Sequence, residues 1–205
     1  MAPSRREFLL TALAGALSLQ SPVLLATAEP EVGDDGLHEQ PWFLETFLEM
    51  SDDLSGAADE GRRFAVIWEQ KGCPYCRELH RVNFADAGLV DYFTRHFSVV
   101  QLNLWGAREV TDFDGEVLEE RELARKWRVN YTPTVQFFPA DLTGKEGQDG
   151  VRVEVARMPG YFKPFHFRSM LEFVNTSAYE RMTFQRFLQV KFEELKGSGK
   201  SAKVW

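Results

Sequence analysis

The residues best suited to chemistry are Cys73 and Cys76, the only two cysteines of the 205-residue chain, in the run Gly72-Cys73-Pro74-Tyr75-Cys76. Two thiols three residues apart lie one helical turn from each other, so they can close on one another or share a partner's sulfur. The preceding run, Arg63-Phe-Ala-Val-Ile-Trp68, is short, apolar and bounded by charge, and predicts a buried strand. Pro74 suits the first turn of a helix, where its missing N–H is not needed. Cys73 therefore falls where a strand gives way to a helix. Its sulfur faces unpaired backbone N–H groups and the positive end of the helix dipole, which favour thiolate over thiol. Lys71 adds a positive charge nearby. The expected chemistry is thiol–disulfide exchange, in which Cys73 attacks a partner and the more buried Cys76 resolves the mixed disulfide.

Other readings of the pair are weaker but remain. A structural disulfide would close too short a loop to constrain the unfolded chain much. Zinc requires about four ligands, and only Cys73, Cys76 and His80 are near. Covalent haem attachment needs His directly after the second cysteine, where Arg77 stands. Copper handling by the two thiolates and His80 stays open, because soft sulfur ligands hold cuprous ion. A second feature favours exchange. Tyr131-Thr132-Pro133-Thr134 directly precedes an apolar strand, and Pro133 must sit at its mouth. X-Pro is the bond that readily goes cis. A cis bond would expose the Thr132 backbone to an extended peptide held beside Cys73.

The scaffold follows from the same patterning. Phe43, Phe47, Met50 and Leu54 predict one helical stripe, ended by Gly56 and Gly61. Helix is predicted from Tyr75 to Phe84, and from Leu89 to Phe97 as its continuation or a second piece. Strands are predicted at 98–105, 134–138 and 151–156, the last from the period-two alternation Val151-Arg-Val-Glu-Val-Ala156. A polar connection spans 106–118, and helix is predicted at 119–127. Phe167, Met170, Leu171 and Val174 form one later helical face; Phe184, Phe187, Leu188 and Leu195 form another, both read as core. Strands separated by helices argue for a parallel start, and the closely spaced last two for an antiparallel finish.

The composition is that of an ordinary globular protein, 44% hydrophobic and 27% charged, which excludes intrinsic disorder. The formal net charge of −7 argues against nucleic acid and anionic membrane surfaces as partners. The first 28 residues carry Ser4-Arg5-Arg6-Glu7-Phe8-Leu9, an interrupted apolar stretch and Ala26-Thr27-Ala28. They read as a twin-arginine-type export signal with a cleavage site, which places the mature chain in the periplasm with no membrane span. Residues 29–39 are expected to be a mobile acidic leader, 40–196 the folded domain with its core at about 63–174, and 197–205 a tail.

Strand, C-x-x-C helix, strand, helix, Thr-Pro, two strands, Gly160 and helix together resemble the thioredoxin fold, from about Arg63 to Val174. The implied fold class is α/β, a central mixed sheet flanked by helices, with extra N- and C-terminal helices. The resemblance implies that Cys73 is the nucleophile, Cys76 the resolving cysteine and Pro133 the cis-proline. It places Pro74, Tyr75, Thr132, Pro133 and Gly160 in the substrate-binding surface. The dipeptide Pro74-Tyr75 is of the glutaredoxin type. The runs FAVIWEQKGCPYCRELHRVNF (64–84), QLNLWGAREVTDF (101–113) and MPGYFKPFHF (158–167) resemble the SoxW-type periplasmic thioredoxins that accompany sulfur-oxidation (Sox) systems. That likeness implies protein disulfide or thiol substrates, among them Sox proteins, a membrane electron donor of the CcdA/DsbD type, and no cofactor beyond the dithiol.

One departure from thioredoxins bears on mechanism. The strand before the active site, Ala65-Val66-Ile67-Trp68, carries no acid, and Glu69 just after it is the nearest candidate to accept the Cys76 proton; the alternative is a solvated carboxylate. His80 reads as a packing or surface residue. The 106–118 connection, with Arg108, Glu109, Asp112, Asp114 and Glu116, is either a partner-contacting loop or a solvated acidic one. Its Asp112-x-Asp114-Gly115 lacks the ligand ladder of a calcium loop, and no metal is expected. A disulfide-forming oxidase and a cytochrome c maturation reductase remain as alternative functions beside the copper chaperone.

Overall fold

In the computed structural model of the chain, which describes residues 30–197, the apolar run after Arg63 is strand β1 (Arg63–Glu69). Its residues from Phe64 to Glu69 are all buried, because both faces of the sheet are covered. Successive side chains point to opposite faces. Phe64, Val66 and Trp68 enter one core layer, and Ala65 and Ile67 the other.

β1 lies at the centre of a four-stranded sheet with β2 (Phe97–Asn103), β5 (Thr134–Phe137) and β6 (Ala156–Pro159), in the order β2-β1-β5-β6. β1 and β2 are parallel in the register Arg63↔Phe97 to Glu69↔Asn103. β5 is antiparallel to both β1 and β6. The helices are α1 (Met50–Asp59), α2 (Pro74–Glu78), which runs on into a π-turn at Leu79–Asn83, α3 (Ala87–His96), α4 (Glu120–Lys126), α5 (Gly150–Val153), α6 (Pro164–Asn175) and α7 (Phe184–Gly197). The mixed sheet flanked by helices, with helices added at both ends, is the expected architecture.

One layer packs α1, α4, Trp127, Phe138 and Val153 on the sheet; the other packs Leu79, Phe93 of α3 and Phe167, Leu171 and Val174 of α6. Burying each such side chain contributes roughly 1.5–3 kcal/mol.

The predicted elements shift in several places. The first helix begins at Met50, not near Phe43, and Phe47 is 96% exposed. The Thr46 hydroxyl takes the Leu48 N–H at 3.0 Å, and Leu48 adopts a φ of 60°, so the chain turns before the helix starts. The alternating run 151–156 is not a strand along its length. Asp149 accepts the Arg152 N–H and caps the short α5, and the strand proper starts at Ala156. The terminal helix α7 has no buried residue; Phe184 and Phe187 pack from its edge against Phe173.

The 106–118 connection is not a solvated acidic loop. It contains the hairpin β3 (Glu109–Thr111) and β4 (Val117–Glu119), whose turn buries Asp112 and Phe113. Asp112 Oδ1 accepts from Trp127 Nε1 and the Gly150 N–H, both at 3.0 Å. Lys126 reaches Asp112, Asp114 and Glu116 at 2.7 Å each. Burial alone would lower the Lys126 pKa, but these three carboxylates outweigh it and hold the ammonium well above its ordinary range.

The segment expected to be a mobile leader is ordered by contacts from Pro30 onward. Leu37 is buried, Val32 bridges His38, and the His38 carbonyl accepts from Gln101 Nε2 at 2.7 Å. The Leu44 N–H donates to the Val99 carbonyl at 2.8 Å, so the arm runs along the outer edge of β2. The stretch read as an export signal lies outside the described residues, as do residues 198–205 of the tail. No helix among the described residues is long and apolar enough to cross a membrane.

Candidate active site

The site forms where β1 ends. Gly72, at φ 72°, turns the chain between Glu69 and the helix, and the Cys73 N–H returns to the Gln70 carbonyl at 3.3 Å. Cys73 is the N-cap of α2, and its Sγ accepts the Cys76 N–H at 3.1 Å. Pro74 takes the first helical position. The two cysteines are joined as a disulfide, with Cys73 at 5% exposure and Cys76 at 1%. The outer sulfur thus belongs to the residue at the helix end, and the inner one to the residue a turn behind it.

β5 delivers the second half of the site. The Thr132–Pro133 bond is cis. The Thr132 hydroxyl donates to Cys73 Sγ at 3.3 Å, and the Thr132 carbonyl oxygen lies 3.5 Å from the same sulfur. Gly160, at φ 90°, donates its N–H to the Pro133 carbonyl at 2.7 Å, which fixes the end of β6 beside the proline. Cys73, Cys76, Pro74, Thr132, Pro133 and Gly160 are therefore brought together from three segments.

Around the disulfide the surface is aromatic. Tyr75 is 63% exposed, Tyr131 67% and Trp105 66%. The Trp105 indole donates to Gln70 Oε1 at 2.7 Å, so it rides on the active-site turn. Parallel pairing of β1 and β2 sets both strand ends at one edge, and Trp105 leaves from there. Tyr131 and Trp105 were missed in sequence because nothing local separates an exposed aromatic from a core one. A groove of about 710 Å³ adjoins Cys73 on the other side, lined by Val32, Gly36, His38, Lys71 and Arg77.

Behind the cysteines lies a buried polar cluster. Glu69 and His80 are wholly inside, so neither is the surface residue that one reading of the sequence allowed. His80 Nε2 meets Glu69 Oε1 at 2.9 Å. Gln40 Nε2 lies 3.0 Å from His80 Nδ1, and Gln101 Nε2 donates to Glu69 Oε2 at 3.1 Å. The His38 ring sits 5.2 Å from that of His80. Burial lowers the His38 pKa. Both ring nitrogens of His80 are engaged inside the protein. It cannot complete a copper site with Cys73 and Cys76 unless one of those contacts breaks, and no cluster of three potential metal ligands occurs among the described residues.

The thioredoxin-like domain family matches residues 50–175, more than half of the chain, with the disulfide inside the match. The protein belongs to the thioredoxin-like domain family. Among solved structures it is similar to a thioredoxin-fold protein from Helicobacter pylori, at 20% identity over 70% of this chain and 94% of that one, with a TM-score of 0.48. It is similar to a thioredoxin from Thermus thermophilus, at 26% identity over 60% of this chain and 82% of that one, TM-score 0.45. It is also similar to the C-terminal domain of DsbD from Neisseria meningitidis, at 12% identity over 64% and 97%, TM-score 0.41. Comparison with curated protein sequences gave no match. As a thioredoxin-like protein with a C-x-x-C disulfide at the strand–helix junction, this chain is a thiol–disulfide oxidoreductase.

Proposed function

We propose that this thioredoxin-like protein is an exported reductant that passes electrons from Cys73 and Cys76 to the disulfides of partner proteins. The observation that carries the exchange chemistry is the setting of Cys73 Sγ; the direction, toward reduction of partners, rests on the likeness to SoxW-type proteins. Cys73 Sγ caps a helix by accepting the Cys76 N–H and receives the Thr132 hydroxyl, so a thiolate there is stabilised by two hydrogen bonds and the helix end.

In the reduced protein the Cys73 thiolate attacks a partner disulfide; a Cys73–partner bond forms and the partner's first sulfur leaves as thiolate. Glu69 takes the Cys76 proton. The Cys76 thiolate then attacks Cys73 Sγ, the Cys73–Cys76 bond forms, and the partner's second sulfur departs and is protonated from water. Two electrons have passed to the partner, and an external dithiol must restore the pair. The partner backbone lies along Thr132 and Gly160, with Tyr75, Tyr131 and Trp105 covering its apolar side chains. The 106–118 hairpin, which leaves the same edge, flanks that surface.

The twin-arginine-type signal supports a periplasmic location, and the SoxW-like runs support Sox proteins as partners with a CcdA/DsbD-type membrane donor. The test is the reduction potential of the Cys73–Cys76 couple, by equilibration against a dithiothreitol series. A value near that of thioredoxin, about −270 mV, supports the reductant. A value near about −120 mV, that of strong oxidants, overturns it in favour of a disulfide-forming oxidase.

A further inference from the structure

The buried cluster behind the cysteines contains a chain of hydrogen bonds whose direction is set at one end. The Trp42 indole N–H can only donate, and it donates to Gln40 Oε1 at 3.1 Å. The Gln40 amide must then turn its NH2 toward His80 Nδ1, 3.0 Å away. A proton on Nδ1 would face that NH2 head-on, so Nδ1 is an acceptor and the ring proton sits on Nε2. Nε2–H donates to Glu69 Oε1 at 2.9 Å. Gln101 is fixed in the same way. Its Nε2 donates both to the His38 carbonyl, which can only accept, and to Glu69 Oε2. Glu69 therefore receives two donors, neither of them a cation.

We infer that Trp42 and Gln40, both on the N-terminal arm, act as positioning residues: they hold the His80 ring proton on Nε2, so that His80 donates to Glu69 and fixes its carboxylate in place to receive the Cys76 proton. The inference rests on the proposed exchange reaction. His80 itself has no ring nitrogen left for that proton, since one faces Gln40 and the other Glu69. The groups facing the pair are few. Gln101 comes from β2, His38 and the Phe43 ring from the arm, and the Phe84 ring from the end of the π-turn. His38 is itself biased toward neutrality, chiefly by burial. Without the clamp, the Gln40 amide can rotate and the ring proton can move to Nδ1. Nε2 then offers Glu69 a lone pair instead of a donor, and the carboxylate is no longer held in place as a base.

The experiment combines nitrogen NMR of the histidine rings in the full chain with the rate of disulfide exchange, measured on a cystine-containing peptide. The wild type is expected to show His80 as the Nε2–H tautomer. Trp42→Phe keeps an aromatic ring and removes the indole donor. It should populate the Nδ1–H tautomer of His80 and slow exchange about tenfold. An Nδ1–H or imidazolium signal in the wild type, or an unchanged tautomer and exchange rate in Trp42→Phe, overturns the inference. Gln40→Met should reproduce the Trp42→Phe effect and guards against a packing defect in the indole pocket. If the wild type reduces no disulfide while Nε2–H is still seen, the exchange reaction fails and the clamp survives as a structural fact.

Discussion

Thr132 Oγ1 and Cys73 Sγ meet at 3.3 Å, although 59 residues separate them in the chain. The hydroxyl is a donor that the oxidised sulfur uses weakly and a thiolate would use strongly, because hydrogen bonds to charged acceptors are the stronger class. Thr132→Val preserves the shape of the side chain and deletes the donor. Its expected effect is a higher Cys73 thiol pKa and disulfide exchange about three- to tenfold slower at pH 7, with the fold intact. Thiol alkylation rates against pH measure the first, and an unshifted profile would remove Thr132 from the mechanism.

Glu69→Gln tests the proton acceptor. A glutamine cannot satisfy both neighbours, since its NH2 must oppose either His80 Nε2–H or the Gln101 amide. Stability should fall by about 1–3 kcal/mol from the unmatched donor. Exchange should fall by at least tenfold, and its dependence on pH should flatten. Loss of stability with an unchanged pH profile would make Glu69 a structural group only.

Gly150 offers a test away from the chemistry. A Cβ built there would lie 2.2 Å from the Trp127 ring, the same ring that donates to Asp112. Gly150→Ala should destabilise the fold by about 1–3 kcal/mol through overpacking. Denaturant unfolding reads this, while the reduction potential should stay at the wild-type value.

Asp53 predicts a pH dependence. Desolvation raises its pKa to about 6, against the opposing Thr46 hydrogen bond. A carboxyl whose folded pKa lies above the unfolded one binds its proton more tightly when folded. Its contribution is full below about pH 4 and is lost as pH rises through about 6. Asp53→Asn should therefore unfold at a higher temperature than the wild type at pH 8, with the gap closing toward pH 4. A constant gap across that range would contradict the assignment.

The chemistry was legible in sequence where it is local. Cys73, Pro74, Cys76 and the Thr132-Pro133 pair announce themselves within a few residues, and the β1 run that carries the cysteines is bounded by its own charges. Glu69 was visible as a candidate but its depth was not. A charge after an apolar run reads as a strand end reaching solvent, and only His80, Gln40 and Gln101, distant in sequence, keep it inside. The 151–156 alternation misled for a related reason. Asp149 caps a turn and Trp127 occupies the space above Gly150, so a tertiary contact displaced a local period. The Phe43–Leu54 stripe failed at Leu48, where a side-chain hydroxyl captured the backbone N–H that a helix would have used.

The arm from Pro30 to Leu44 does more than approach the redox centre. It ties down Val99 and Gln101 on the last strand of one side of the sheet. An uncovered strand of that kind is a template on which a second molecule can add its own strand. The segment before the family's matched region thus serves as a guard against sticky self-assembly. A fragment trimmed to residues 50–175 would discard it along with the His80 clamp, and would be expected to lose solubility and catalytic tuning together.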